Sequence, residues 1–444
     1  MKKIWKKLLS TTRLNYDKNE DEDARSPFQK DIDRIVFSSA FRRLAHKTQV
    51  HPLAEDDHIH TRLTHSIETG SVGRSLGTII GNHLGKKHLL PSDFTRDDVG
   101  HVVQAACLAH DIGNPPFGHA GEGAIGHWFQ KQFEDGILRR WDLDRTEKTD
   151  LEQFEGNAQG FRILTQLENN KRNGGLQLTH STLGTFAKYP CTSHPKSKNG
   201  RNYVGGKKFS FFKNEKKYFK TIANDLGLIE RGSKKKAWAR HPLAFLVEAA
   251  DDICYNIVDV EDAYILRTLN FKETKKLLLP LVNESPPDVN DWEIVAWLRA
   301  HAIGAATQQI ASTFIKHSDD ILSGKFETDL ITASKVSQHF SAIKKASKNN
   351  IYKQHRKTEL EIAGHQVING ILMVFVEAIS DLRDNAWDQE KSNPRTQSLI
   401  RYMDRNFDHV TSDYEGLLVM GDYIAGMTDR FALRTYQKLH GHAL

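Results

Sequence analysis

The sequence predicts an all-α fold, and three observations carry that prediction. Apolar residues recur at three- and four-residue spacing over 99–110, 243–266, 293–314 and 422–439, the period of helices that bury one face. Strand-like alternation is rare: only 185–212, punctuated by Gly and Pro and rich in aromatics, suits a short hairpin or an extended loop. No self-similarity recurs at a solenoid period.

A chain of 444 residues exceeds one ordinary domain by a modest margin, so one large helical body with an interwoven second part is expected. The segment 1–60 should pack on a core spanning 61–270, which carries an irregular basic insert at about 170–240. Residues 271–444 form a helical C-terminal part, expected to complete the site and to supply oligomer contacts. The charged stretch 139–149 reads as a surface excursion, and disorder is expected only near 19–23. A 39% apolar composition with seven Trp and 22 Phe fits a folded globular protein. Cys107, Cys191 and Cys254 stand singly with no CxxC spacing, which excludes a zinc ribbon, a redox pair and a disulfide framework. The basic start, residues 1–9, lacks the apolar stretch of a secretory signal, and no run of about eighteen apolar residues occurs. A cytoplasmic protein without membrane contact is therefore expected. The formal charge of +6 gathers at 2–7, 207–220 and 234–240. Each cluster is either a solvated face or a lure for a polyanion such as triphosphate or DNA.

The densest chemical signal is His110-Asp111-Ile112-Gly113-Asn114-Pro115-Pro116-Phe117-Gly118-His119-Ala120-Gly121-Glu122. The apolar helix before it delivers His-Asp at its last turn, and Gly113 with two prolines stops it. At a helix end both side chains can turn toward one ion, and imidazole with carboxylate suits Mn²⁺, Fe²⁺ or Mg²⁺. Further ligands are available in His65 and in Glu248-Ala249-Ala250-Asp251-Asp252. Asp251, Tyr255 and Asp259 fall at i, i+4 and i+8, one helical stripe, whereas Asp252 points elsewhere, so Asp251 is the ligand choice. Flanked by Ala249, Ala250, Ile253 and Ile257, that stripe is buried rather than solvated, and a buried carboxylate needs a partner.

His65, His110-Asp111 and Asp251 together resemble the H…HD…D signature of the HD phosphohydrolase superfamily. More narrowly, Arg62-Leu63-Thr64-His65-Ser66, the block from His110 to Glu122, Phe154-Glu155-Gly156-Asn157-Ala158-Gln159-Gly160 and residues 248–262 resemble bacterial dGTPases. The resemblance runs from near the start to about residue 266 and returns at Asp422-Tyr423-Ile424-Ala425-Gly426-Met427-Thr428-Asp429. It implies an HD-domain helical core in which His65, His110, Asp111 and Asp251 hold one divalent ion per subunit, Mn²⁺ or Mg²⁺, with Fe²⁺, Co²⁺ and Ni²⁺ also acceptable. It implies that His119 and Glu122 form an acid/base dyad at the bond between the 5′-oxygen and the α-phosphorus, so that dGTP yields deoxyguanosine and tripolyphosphate. Arg62, Lys188, Tyr189 and Lys208 match phosphate contacts. Tyr255 and Asp259 match contacts to the deoxyribose, Gln49 matches a further sugar or phosphate contact, and Asn157 a polar group beside the metal. Base recognition is not legible: Arg430 is either a purine contact or a surface residue. Animal members carry a second histidine where this chain has Asn114. The resemblance further implies a homo-oligomer, commonly a hexamer in related enzymes, and a single-stranded DNA effector. Two other readings stay open: another HD activity, such as a 5′-nucleotidase or phosphodiesterase, or a single-stranded nucleic-acid-binding protein with a regulatory HD site.

Overall fold

The computed structural model describes residues 1–16, 24–48, 60–169, 174–193, 203–231, 237–350, 355–405, 407 and 409–442. It contains twenty α-helices among those residues and one two-stranded antiparallel sheet, β1 (Glu230–Arg231) with β2 (Ala237–Trp238). The fold is all-α, as the helical period requires. The hairpin forms beyond the 185–212 stretch where alternation suggested it. Among the described residues of that stretch stand the end of a short helix, His180–Phe186, and a single helical turn, Val204–Gly206. The residues near 19–23 and Gln49 lie outside the described residues.

Nine helices position the site: α1 (Arg62–Lys86), α2 (Arg96–Ala109), α3 (Gly118–Glu134), α4 (Gly156–Arg162), α5 (Ala244–Ile265), α6 (Asp291–Lys316), α7 (His355–Asp384), α8 (Asp413–Ala425) and α9 (Asp429–Leu439). Capping boxes start α1 and α2, at Thr61 with Thr64 and at Thr95 with Asp98. α1 and α2 lie almost backbone to backbone. A Cβ on Gly77 would meet the Val99 carbonyl at 2.7 Å, and one on Gly81 the Arg96 carbonyl at 2.5 Å. Only hydrogen fits at those positions, and α5 and α6 complete the layer.

Two apolar cores result. The first gathers α1, α2, α5 and α6 with the N-terminal segment through residues such as Leu76, Val103, Ile253 and Leu298. The second gathers α3 with α7, α8 and α9 through Ile125, Phe129, Ile371, Phe375 and Leu417. The stretch after α2 crosses from one to the other: Ile112 belongs to the first and Phe117 to the second. The 139–149 stretch is less of a surface excursion than its charge suggested, because Trp141 and Leu143 anchor it in the second core. Residues 422–439 are two helices rather than one. Gly426 ends α8, and the Thr428 hydroxyl accepts from the Phe431 N–H to start α9. Within α7, Glu361–Asp384 is long and apolar enough to cross a bilayer by length and composition alone. Its Ile368, Ile371, Leu372, Phe375, Ile379 and Leu382 are nonetheless buried in the second core.

A buried ionic knot ties α8 to α4. Arg162 donates through Nε and Nη2 to Asp422 and through Nη1 to Glu215 at 2.8 Å, and Gln159 adds a bond to Asp422 at 2.8 Å.

Candidate active site

α1, the end of α2 and α5 bring three groups to one point on the seam between the cores. Arg62 opens α1, and His65 follows one turn later. His110 caps α2, and its ring nitrogen Nδ1 lies 2.6 Å from the Cys107 carbonyl. A carbonyl can only accept, so Nδ1 carries the proton and Nε2 presents its lone pair inward. Asp251 comes from the second turn of α5. Its Oδ1 lies 3.1 Å from His65 Nε2 and 3.5 Å from His110 Nε2, and Asp111 Oδ1 is also 3.5 Å from His110 Nε2. Donor atoms of His65, His110 and Asp251 all fall within 4.8 Å of one another. Asp252, by contrast, turns to Lys344 at 2.9 Å.

The outer carboxylate oxygens are held by protein cations. Arg62 donates to Asp111 Oδ2 at 2.7 Å and Lys188 to Asp251 Oδ2 at 2.7 Å. Asn114 donates to Asp111 Oδ1 at 2.6 Å. Burial alone would raise the Asp111 and Asp251 carboxyls. Arg62 beside Asp111, and Lys188 with His65 beside Asp251, outweigh it and hold both well below the usual carboxylate range. Burial pushes His110 down, toward the neutral form a metal ligand needs. Two imidazoles and the Asp251 carboxylate converge here, with Asp111 beside them but bonded to Asn114 and Arg62, and the set fits a divalent cation that takes mixed nitrogen and oxygen ligands.

A second group sits on the far side of the crossing loop. His119, in the first turn of α3, has a side chain that is 83% exposed, and its Nε2 lies 4.0 Å from Glu122 Oε2. Glu122 accepts from the Gly156 N–H at 2.7 Å. Glu155 accepts from Asn157 Nδ2 at 2.8 Å and from Lys208 Nζ at 3.1 Å. Burial raises both carboxyls, opposed at Glu122 by Lys208 and reinforced at Glu155 by the Glu122 charge. Partial desolvation, then the Lys208 and Arg62 cations, lower His119 below the ordinary imidazole value, although its side chain is largely open to solvent. The loop is pressed onto α4: a Cβ on Gly113 would strike the Gly160 nitrogen at 2.1 Å.

The other sequence-derived residues are distributed around these two groups. Tyr255 and Asp259 follow Asp251 along α5, Tyr255 half-buried and Asp259 buried. The Tyr189 N–H donates to Ser210 Oγ at 3.0 Å, and its ring lies 5.3 Å from the Arg240 guanidinium. Arg430 is exposed on α9. Arg62 and Lys188, expected at the phosphates, here hold the carboxylates of Asp111 and Asp251. Lys208 and Asn157 both hold Glu155. Sequence reasoning gave no role to Glu155, although it stands in the quoted Phe154 to Gly160 block.

Residues 62–154 match the HD domain, and residues 330–438 match a phosphohydrolase-associated domain. The chain is 41% identical to a deoxyguanosinetriphosphate triphosphohydrolase-like protein of Synechocystis sp., over 99% of this chain and 100% of that one. It is 39% identical to a protein of the same description from Pseudomonas aeruginosa, over 99% of each. Identity to a deoxyguanosinetriphosphate triphosphohydrolase of Enterobacter sp. is 30%, over 95% of each chain.

Proposed function

Since the chain belongs to the HD-domain phosphohydrolases of the deoxyguanosinetriphosphate triphosphohydrolase-like family, we propose that it hydrolyses deoxynucleoside triphosphates, dGTP foremost, to deoxynucleoside and tripolyphosphate. The observation that carries this reading is the convergence of His65, His110 and Asp251 beside Asp111. These four side chains would hold one divalent ion. When bound, that ion supplies Lewis-acid polarisation of a phosphoryl oxygen and acidifies water.

The remaining steps fall to the chain's own groups. Lys188, Arg62 and Lys208, paired here with Asp251, Asp111 and Glu155, would turn to the phosphates as a triphosphate enters. Water adds to the α-phosphorus, the bond to the 5′-oxygen breaks, and that oxygen takes up a proton. His119 lies open to solvent and near neutral form, able to carry a proton at that bond. Glu122, fixed by the Gly156 N–H, orients the imidazole. Tyr255 and Asp259 continue the stripe of Asp251 and would meet the sugar, Asp259 accepting from the 3′-hydroxyl and Tyr255 crowding C2′. Assembly into a homo-oligomer and activation by single-stranded DNA belong to the same reading.

The test incubates the protein with each of the four dNTPs and with GTP, in Mg²⁺ and in Mn²⁺, with and without single-stranded DNA, and resolves the products by anion exchange. Tripolyphosphate from dGTP and little from GTP is the expected result. Orthophosphate or pyrophosphate in its place would assign the site to another phosphohydrolase activity, and no tripolyphosphate from any dNTP would overturn the reading.

A further inference from the structure

The loop from Asn114 to Phe117 joins the metal cluster to His119, and it is pinned at both ends by residues far away in sequence. At one end stands Lys47, whose side chain is buried. Its Nζ donates to the Asn114 carbonyl at 2.6 Å and to the Ala425 carbonyl at 2.7 Å. Ala425 is the last residue of α8, where carbonyls lack an intrahelical donor and the helix dipole is negative. At the other end stands Asp429, the first residue of α9 and also buried. Its Oδ1 accepts from the Phe117 N–H at 2.9 Å, and its Oδ2 accepts from the Thr48 N–H at 3.1 Å and the Thr48 hydroxyl at 2.8 Å.

Both anchors look expensive for mere packing. A buried ammonium whose two acceptors are peptide carbonyls is costly, and an apolar side chain would fill the same space without that cost. Burial, and then the neighbouring Arg43, push the Lys47 pKa down to about 7, with Asp429 opposing. Phe117 has φ 64° and Gly118 φ +57°, two left-handed residues in succession directly before His119. A phenylalanine holds that conformation only when its surroundings impose it, and the Asp429 bond to its N–H does so. The pins are transmitted at once to the chemistry: Asn114 donates to Asp111 Oδ1 at 2.6 Å, and Gly118 leads into the turn that carries His119.

We propose that Lys47 and Asp429 are positioning residues, through which the turn between α8 and α9 sets the distance between Asp111 and His119. The segment matching the phosphohydrolase-associated domain then acts on the reaction by holding this loop, and Lys47-Thr48 is the strap that joins it to the HD core. The inference rests on the functional reading above for its kinetic readout, and on the geometry alone for its structural one.

The full chain carries the test, with Lys47→Met, Asp429→Ala and Asp429→Asn compared to wild type at a temperature where each is folded. Lys47→Met and Asp429→Ala should lower kcat for tripolyphosphate release by about tenfold to a hundredfold, the scale of a misplacement near 1 Å. KM should stay within about threefold of wild type. Mn²⁺ affinity by calorimetry should weaken by about tenfold, as expected when support to a ligand is lost. Asp429→Asn keeps an acceptor for the Phe117 N–H and should recover most of the loss. Hydrogen exchange of the 111–118 peptide should quicken in the two severe variants while the α1 peptide stays as in wild type. A lower Tm with wild-type kcat, Mn²⁺ affinity and local exchange would overturn the proposal. Should Lys47→Met fail to fold, the Asp429 pair decides by the same readouts. If wild type releases no tripolyphosphate, the functional reading fails by itself, and exchange in 111–118 still decides whether the strap positions the loop.

Discussion

The metal cluster and the Arg162 knot are both buried assemblies of opposite charge, and they differ in whether the charges close on one another. In the knot, Nε, Nη1 and Nη2 of one guanidinium all end on Asp422 or Glu215. A planar fork that finds carboxylates on every side is complete in itself. In the cluster, Arg62 and Lys188 take only the outer oxygens of Asp111 and Asp251, and the inner oxygens face imidazole nitrogens at 3.1 to 3.5 Å. Cations stand on the outer side of the cluster and imidazoles on its inner side, whereas one guanidinium fills the centre of the knot. The closed cluster is therefore read as holding the C-terminal helices to the core, and the open one as a place for an ion.

The largest effect that separates the two is Asp251→Asn. The substitution keeps size and a hydrogen-bond acceptor for Lys188 but removes the charge at the convergence point. Tripolyphosphate release should fall at least about a thousandfold, or ~4 kcal/mol of transition-state stabilisation. Mn²⁺ binding by calorimetry should fall with it, and Tm should fall as well, because Lys188 loses its buried counter-charge. Retained metal binding would mean that the convergence of His65, His110 and Asp251 is an ordinary ion-pair network.

Arg162→Met should lower stability alone. It leaves Asp422 and Glu215 buried without their cation, which typically costs about 3–5 kcal/mol, readable as a lower denaturant midpoint. Protein that remains folded should bind Mn²⁺ as wild type does. An unchanged midpoint would show that the knot contributes no more than a surface pair.

The contrast also explains what could be read before the fold was seen. Helical period placed α2, α5 and α6 because each buries a continuous face, and the dense block from His110 to Glu122 pointed to the ligands because local spacing brings them to one helix end. The break between α8 and α9 was signalled by Gly426 and Thr428, but the apolar period continues across it. Lys47 and Arg162 left no such mark, and Asp422 and Asp429 stood out only as the ends of a block to which the sequence gives no contacts. Lys47 meets Ala425 across 378 residues, Thr48 meets Asp429 across 381 and Arg162 meets Asp422 across 260, and no local pattern distinguishes a buried lysine from a solvated one. Phe117 is similar, since its left-handed backbone is imposed by Asp429 and runs against the preference of its own side chain.

Asp150 offers the smallest and sharpest test, because it is a buried carboxylate whose Oδ2 meets only neutral donors while its Oδ1 has no hydrogen-bond partner among the described residues. It accepts from the Tyr414 hydroxyl and from the Lys213 N–H, at 2.8 Å for the latter, while the Lys213 ammonium is spent on Asp144 and Glu147. Burial raises its carboxyl to about 7, against the hydrogen bonds that oppose it. Between about pH 4, the unfolded value, and pH 7 the folded chain thus keeps a proton that the unfolded chain has lost. Its contribution to stability is most favourable at the acid end, declines as pH rises through that window and levels off above 7. Asp251, with a depressed pKa, has the reverse slope: its contribution is present above about pH 4 and fades only below it. Asp150→Asn removes the titration and keeps the shape, so the Tm advantage of the variant over wild type should grow by a degree or two from pH 5 to pH 8, about 1–2 kcal/mol for a chain of this size. A difference that stays flat across that range would mean that Asp150 is ionised throughout, and that Tyr414 and the Lys213 N–H stabilise a buried charge as well as a cation does.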